Sequence, residues 1–422
     1  MGATRVEHVT CLGCGCGCDD ITVSVDDGRI ADVTPVCPVG RAWFGDGVVP
    51  AEVLIQGKPA PFERAIAGAA EFLERAGSRS LICLGPDLSS QSQRQAVALA
   101  DLAAGTVDTA TSETAAGGLL AAQRHGRVGA TLGEIRNRAD LLLFWGVDPA
   151  ERYPRFMERY VDPPGTHLPK GRSGRIIIGV SVGRDRAPPA ADVSLALEPG
   201  EEIAVLSLMR ASLLGRATGS SSPRLREAVA IAERLAAARY VGLVHDAEPT
   251  AEPRDPLRVE ALLGLAEALN GPTRAASVSL RAGGNRVGAE SVLTWQTGYP
   301  LSVDYSRGHP RYVPGQRGLE RLRSGCFRVA LLVGTPHLEV AGARALDEVS
   351  MIVIGPRASQ SGLGPQIAID TGVAGIHEGG TAYRLDEVPL QLRPPIQAPR
   401  RTFEVLQTLT VALGAALRRK RA

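Results

Sequence analysis

Cys11, Cys14, Cys18 and Cys37, spaced C-x2-C-x3-C-x18-C with Pro38 directly after the last, are the residues of this chain best suited to chemistry. Thiolates are soft, anionic donors, and a close set of four that ends in Cys-Pro has the form of an iron–sulfur binding run. A [4Fe–4S] cube takes four such donors from a short, tight loop. Gly13, Gly15 and Gly17 give that loop the backbone freedom to wrap it. Cys16 is surplus to a four-ligand count. Two other readings stand beside the cube. A structural zinc site also uses four cysteines, but more often pairs two C-x2-C knuckles, and one is present here. A disulfide-prone loop fits poorly in a large chain with no export signal. Cys83 and Cys326 stand alone in apolar surroundings and read as buried packing residues.

The cysteines need elements to hold them. ITVSVDDGRIADVTPV (21–36) alternates apolar and polar residues around Asp27-Gly28, which predicts a β-hairpin. After that the pattern changes to strand–helix alternation. SLICLG (80–85) reads as a buried strand, followed by a turn and a helix that ends at Gly105. Further strand-length apolar runs are ADLLLFWG (139–146), RIIIGVSV (175–182), YVGLVH (240–245), VALLVG (329–334) and SMIVIG (350–355). Short continuous apolar strands with helices between them imply an α/β fold of two doubly wound parallel-sheet domains, beside a small N-terminal cysteine-rich lobe with the hairpin. The expected division is a lobe over 1–55, one α/β domain over 56–135 and 330–422, and a second over 136–329.

In such folds ligands bind beyond the carboxyl ends of the strands. The loops that qualify are Gly146-Val147-Asp148-Pro149, Gly183-Arg184-Asp185-Arg186, Gly334-Thr335-Pro336-His337 and Gly355-Pro356-Arg357. Gly and Pro after a strand are ordinary turn chemistry. Four such loops in series, each with an acid, Arg or His nearby, are what a shared dinucleotide cleft would use.

With 422 residues, 44% of them hydrophobic, the chain has ample material for more than one core. No apolar run reaches the roughly 18 residues of a membrane span. The start, MGATRVEHVTC, lacks the apolar stretch of a signal peptide, which points to the cytoplasm. A net charge of +2 leaves no nucleic-acid footprint. Lys occurs only at 58, 170 and 420, so nearly all of the 47 basic residues are Arg, whose bidentate fork suits carboxylates and phosphates.

A C-x2-C-x3-C…C lobe ahead of two doubly wound domains resembles the molybdopterin oxidoreductases, as does the stretch DRAPPAADVSLALEPGEEIAVLSLM (185–209). Finer motifs are similar to the B subunit of formylmethanofuran dehydrogenase and that of its bacterial relative, the formyltransferase/hydrolase complex. They are TLGEIRNRADLLLFWGVDPAERYPR (131–155), GNRVGAESVLTWQTGYPLSVDYSRGHPRYVPGQ (284–316) and GIHEGGTAYRLDEVPLQLR (375–393), with the block Trp295 to Pro300 the most specific.

The resemblance implies a cysteine or selenocysteine ligand to tungsten or molybdenum, followed by His-Gly-Pro, just upstream of TLGE. That position falls near Thr114, within SETAAGGLLAAQ (112–123), and holds neither a thiol nor the His-Gly-Pro. A hydroxyl is a far poorer donor to a soft metal site, which argues against a pterin-bound Mo/W centre. His125 lies downstream and reads as a local packing residue. The family then implies a scaffold that partners the A, C and D subunits of a formyltransferase/hydrolase complex, together with a methanofuran-type carrier. The carrier's acidic tail makes Arg152, Arg155, Arg159, Arg184 and Arg186 candidate contacts. The alternative is a redox-active dehydrogenase subunit with pterin-bound Mo/W and a [4Fe–4S] cluster, its pterin nucleotides on Gly146, Asp148, Asp185 and Arg186.

Overall fold

A computed structural model describes residues 4–216, 222–248, 254–315, 317, 322, 324–335 and 348–421. The chain divides into two compact units. Met1–Glu113, Gly283–Arg384 and Pro389–Ala422 make the first, and Thr114–Ala282 with Leu385–Val388 the second.

In chain order the strands begin with β1 (Thr4–Val9), β2 (Ile21–Asp26), β3 (Arg29–Thr34), β4 (Val53–Ile55), β5 (Lys58–Pro59), β6 (Ser80–Leu84) and β7 (Thr106–Thr109). They continue with β8 (Leu141–Trp145), β9 (Ile176–Val182), β10 (Val193–Leu197), β11 (Val241–Asp246) and β12 (Ala275–Leu280). The last are β13 (Val303–Asp304), β14 (Arg311–Tyr312), β15 (Val329–Val333), β16 (Ser350–Gly355), β17 (Ile367–Asp370), β18 (Gly380–Tyr383) and β19 (Pro389–Leu392). The helices are α1 (Pro38–Phe44), α2 (Phe62–Ala76), α3 (Ser90–Leu102), α4 (Ser112–His125), α5 (Leu132–Arg138) and α6 (Pro149–Arg152). They are followed by α7 (Glu202–Leu213), α8 (Pro223–Ala237), α9 (Arg258–Leu269), α10 (Arg286–Thr297) and α11 (Thr402–Arg421).

The first unit opens with the antiparallel sheet β1-β2-β3. Asp27 (φ 45°) and Gly28 (φ 72°) both take left-handed backbone, as a two-residue hairpin turn of this hand requires. Its main sheet runs β14-β13-β7-β6-β15-β16-β17-β4-β5. The central five, β7-β6-β15-β16-β17, are parallel, and β13 and β4 add antiparallel edges. Both faces of the parallel core are covered, which is why its strands read as unbroken apolar runs. Ile82, Leu84, Leu331 and Ile352 face Leu73, Leu99 and Leu409 of α2, α3 and α11. Leu81, Cys83, Leu332 and Val353 pack with Phe327 and Leu322 on the other face. Cys83 is thus a core residue. Cys326, expected to be buried, is exposed, because it follows the Ser324-Gly325 turn rather than entering β15.

The second unit is a parallel sheet ordered β10-β9-β8-β11-β12. Leu141, Leu143, Trp145, Ile178, Val180 and Leu243 meet Leu206, Met209, Ile231, Leu235 and Leu265 from α7, α8 and α9. The opposite face is covered by α5: a methyl group at Gly242 would come 2.7 Å from Ile135 Cδ1. Among the described residues no helix is long and apolar enough to cross a membrane.

Candidate functional site

The first unit brings the cysteine segments together. Cys11 N–H donates to Cys18 O at 2.8 Å, and Gly17 N–H to Cys14 O at 3.2 Å, which folds the C-x2-C-x3-C run into a compact loop. Cys37 arrives as the N-cap of α1: its Sγ accepts the Gly40 N–H at 3.3 Å, and Pro38 takes the first helical position, where its missing N–H does no harm. That explains the Cys-Pro pair. Gly40 lies where the two segments meet. A methyl group there would lie 3.2 Å from Cys11 Sγ and 3.7 Å from Cys37 Sγ. Cys11, Cys14, Cys16 and Cys18 are all buried. Burial pushes the Cys11 thiol well above its usual range, the neighbouring Cys18, Cys14 and Cys37 push it further, and the Gly13 N–H pulls against them.

A set of thiols that repel one another's ionisation is stabilised by a group that takes them as thiolates. The donor number, donor type and amide-to-sulfur hydrogen bonds fit an iron–sulfur cluster. Among the described residues, no three His, Cys, Asp or Glu side chains are drawn together closely enough to hold a metal ion.

Each parallel sheet has a topological switch point where a nucleotide would bind. In the first unit it lies between β6 and β15, at Gly85-Pro86-Asp87 and Gly334-Thr335. There the Asp87 carboxylate accepts the Thr335 N–H at 2.8 Å and the Thr335 hydroxyl. Pro336 and His337 lie outside the described residues.

In the second unit the switch point is between β8 and β11, where Gly146 (φ 57°) ends β8. Arg258 lies against Gly146, and a methyl group on Gly146 would collide with its Nη2. Arg258 Nη2 donates to Trp145 O at 3.0 Å, while its Nε lies 3.1 Å from Glu202 and its Nη1 3.5 Å from Asp185. Arg254 Nε holds Asp185 at 2.9 Å, and Trp145 Nε1 donates to Glu202 at 2.6 Å. Burial works against both charges of the central pair, raising Glu202 and lowering Arg258, and each partner offsets the other's shift. Beside them Asp246 accepts from Tyr153 and Arg152 at 3.1 and 2.9 Å.

Of the residues expected to bind a pterin nucleotide, Gly146 and Asp185 thus belong to an internal ion network. Asp148 caps the four-residue α6 through the Ala150 N–H at 3.0 Å, and Arg186 is exposed. Thr114 falls within α4, but its side chain lies outside the described ones. His125 does not cap or pack locally: its side chain is exposed and lies 2.6 Å from Glu260 of α9, 135 residues further along the chain. Among the candidate carrier contacts, Arg184 and Arg186 are exposed, Arg155 is buried against Glu158, Arg152 is held by Asp246, and Arg159 lies over the Tyr160 ring.

Sequence reasoning missed three features: Arg258, the buried Glu378, and the tripeptide Gly283-Gly284-Asn285 that touches the cysteine loop. The double glycine at the end of β12 was the available signal for the last.

Fold and site together define an α/β protein of parallel sheets, with a buried thiol loop set near a sheet's switch point. No protein-family model matches the chain. It is 31% identical over 414 residues to the B subunit of tungsten-containing formylmethanofuran dehydrogenase 2 of Methanocaldococcus jannaschii, covering 93% of this chain and 94% of that one. The Methanococcus maripaludis protein of the same description is 30% identical over 413 residues, with the same coverage. The B subunit of the formyltransferase/hydrolase complex Fhc of Methylorubrum extorquens is 26% identical over 259 residues, 61% of this chain and 67% of that one. A chain in the crystal structure of that organism's FhcABCD complex with methylofuran shares the fold, with a TM-score of 0.70 at 22% identity over 86% of this chain and 99% of that one. The chain belongs to the family of formylmethanofuran dehydrogenase B subunits.

Proposed function

We propose that this chain is the B subunit of a cytoplasmic formyl-handling complex, where a formyl group on a methanofuran-type carrier is released as formate. In this reading it is a scaffold for the A, C and D subunits, and the transfer and hydrolysis occur on its partners. The observation that supports the reading is Arg258 against Gly146: at the loop expected to take a pterin nucleotide, a buried guanidinium donates to Trp145 O and stands between the buried acids Glu202 and Asp185. The hydroxyl residue at 114 supports it, since no thiol is offered there to tungsten or molybdenum. The cysteine-rich lobe keeps Cys11, Cys14, Cys18 and Cys37 as the residues that would hold a [4Fe–4S] cluster. When bound, such a cluster supplies one-electron transfer. Of the candidate arginines, Arg184 and Arg186 are the exposed ones, and they are the contacts proposed for an acidic carrier tail.

A second reading keeps the chain redox-active. It is favoured by the tungsten-containing relatives, which match at higher identity and over more of the chain than the Fhc protein does. Elemental and pterin analysis of the anaerobically purified native complex separates the two. Iron at about four per subunit without tungsten, molybdenum or pterin is the scaffold result. Stoichiometric tungsten or molybdenum with pterin would overturn it.

A further inference from the structure

Gly283, Gly284 and Asn285 lie between the cysteine loop and the β6 strand-end loop. The Gly284 N–H donates to Leu12 O at 2.8 Å. Leu12 C=O and Gly13 N–H are the two ends of one planar peptide group, and that Gly13 N–H donates to Cys11 Sγ at 3.4 Å. Gly284 therefore fixes the orientation of the amide that faces the Cys11 sulfur.

Neither glycine has room for a side chain. A methyl group on Gly283 would collide with Gly13 O and come within 2.7 Å of Leu12 O, and one on Gly284 (φ 90°) would collide with Pro86 O. Asn285, fully buried, anchors the tripeptide. Its N–H donates to Pro86 O, and its Nδ2 reaches Leu88 O, Ser90 Oγ and Gln93 Oε1 at 3.0, 3.1 and 3.2 Å. Its Oδ1 accepts the Tyr383 N–H at 2.7 Å, and its carbonyl accepts from Gln93 Nε2 at 3.0 Å. From the other side Thr10 Oγ1 donates to Gln391 O at 2.9 Å.

We infer that Gly283-Gly284-Asn285 is the positioning element of the thiol centre, acting through the Leu12–Gly13 peptide to set the protection and electron-withdrawing hydrogen bond of Cys11. A hydrogen bond accepted by the carbonyl end of an amide polarises its N–H end, and hydrogen bonds to sulfur are one determinant of cluster potential.

The test uses the full chain in its complex, with Gly283→Ala and, as control, Gly200→Ala, whose added methyl meets open space. After iron removal, iodoacetamide labelling is followed by mass spectrometry at Cys11 and at Cys83, which reports on the sheet core. We expect Gly283→Ala to raise the Cys11 rate at least tenfold with Cys83 still protected, and Gly200→Ala to change neither. In the iron-loaded complex the cluster's midpoint potential should fall in Gly283→Ala. An unchanged Cys11 rate with Cys83 protected would overturn the inference. If Gly283→Ala exposes Cys83 too, Asn285→Ala decides by the same two rates. Exposure of Cys83 in both variants would show that the tripeptide holds the sheet rather than the loop, and would also overturn it. The potential measurement rests on the cluster reading, and the labelling does not. Wild-type complex without iron would sink that reading and leave the labelling result standing.

Discussion

The Arg258 guanidinium lies against the backbone at Gly146, its Nη2 donating to the carbonyl of the preceding Trp145 at 3.0 Å. The side chain is 3% exposed and stands between two buried acids, Glu202 and Asp185. Asp185 keeps the Arg254 ion pair if Arg258 is removed, but Glu202 keeps the Trp145 indole as hydrogen-bond donor and just the weaker influence of the Arg254 charge. An uncompensated buried carboxylate costs roughly 3–5 kcal/mol. Arg258→Ala should therefore lower the unfolding temperature by about 10 °C, read by calorimetry. A shift of a degree or two would mean that the pair is energetically neutral.

Glu378 ties two helix starts with one carboxylate. Its Oε1 accepts from Ser89 and Ser92 at 2.8 and 2.5 Å, and its Oε2 accepts the Thr402 N–H at 2.7 Å. Negative charge at helix N-termini meets both the unpaired N–H groups and the dipole. Glu378→Ala leaves buried hydroxyls and an orphan amide, at a cost of about 2–3 kcal/mol. Hydrogen exchange should accelerate first at the start of α11. Equal acceleration over the whole first unit would instead make Glu378 a general core residue.

The strands of both parallel sheets were legible because they are buried on two faces: Leu81 to Leu84, Leu141 to Trp145 and Val329 to Val333 carry no polar alternation to obscure them. The edge strands β4, β5, β13 and β14 were not, since two or three residues carry no period. Cysteine spacing declared the thiol loop. Arg258 was invisible because an arginine at a helix start reads as solvated, and only the fold brings Glu202 and Trp145 to it. Arg155, one of the candidate carrier contacts, is buried, and it pairs with the exposed Glu158 three residues on. Gly283-Gly284-Asn285 acts on residues some 270 positions earlier in the chain, a relationship that no local pattern encodes.

Cys14→Ser tests whether the thiol centre serves catalysis or structure. The substitution removes one soft donor from the buried loop, so visible absorbance of an assembled cluster should disappear. Under the scaffold reading, formate release by the complex persists. Loss of activity in a complex that still contains all its subunits would count against that reading, and wild-type absorbance would remove Cys14 from the ligand set.

His245 gives the molecule an acid-sensitive point. It ends the apolar face of β11, is 3% exposed, and its Nδ1 has no hydrogen-bond partner among the described residues. Burial, then the positive charges of Arg258, Arg254 and Arg127, lower its pKa from 6.5 to about 3. The folded chain thus stays neutral at this residue in a range where the unfolded chain takes up a proton. Above pH 6.5 the residue adds no pH dependence; as pH falls from 6.5 towards 3, stability is lost at up to ~1.4 kcal/mol per unit. His245→Leu removes the titration and suits the apolar face. Its urea midpoint should fall less steeply than wild type below pH 6.5, with carboxylate titrations common to both chains cancelling in the difference. Parallel acid limbs would show that His245 is protonated in the fold, and that the arginines around it are screened from it.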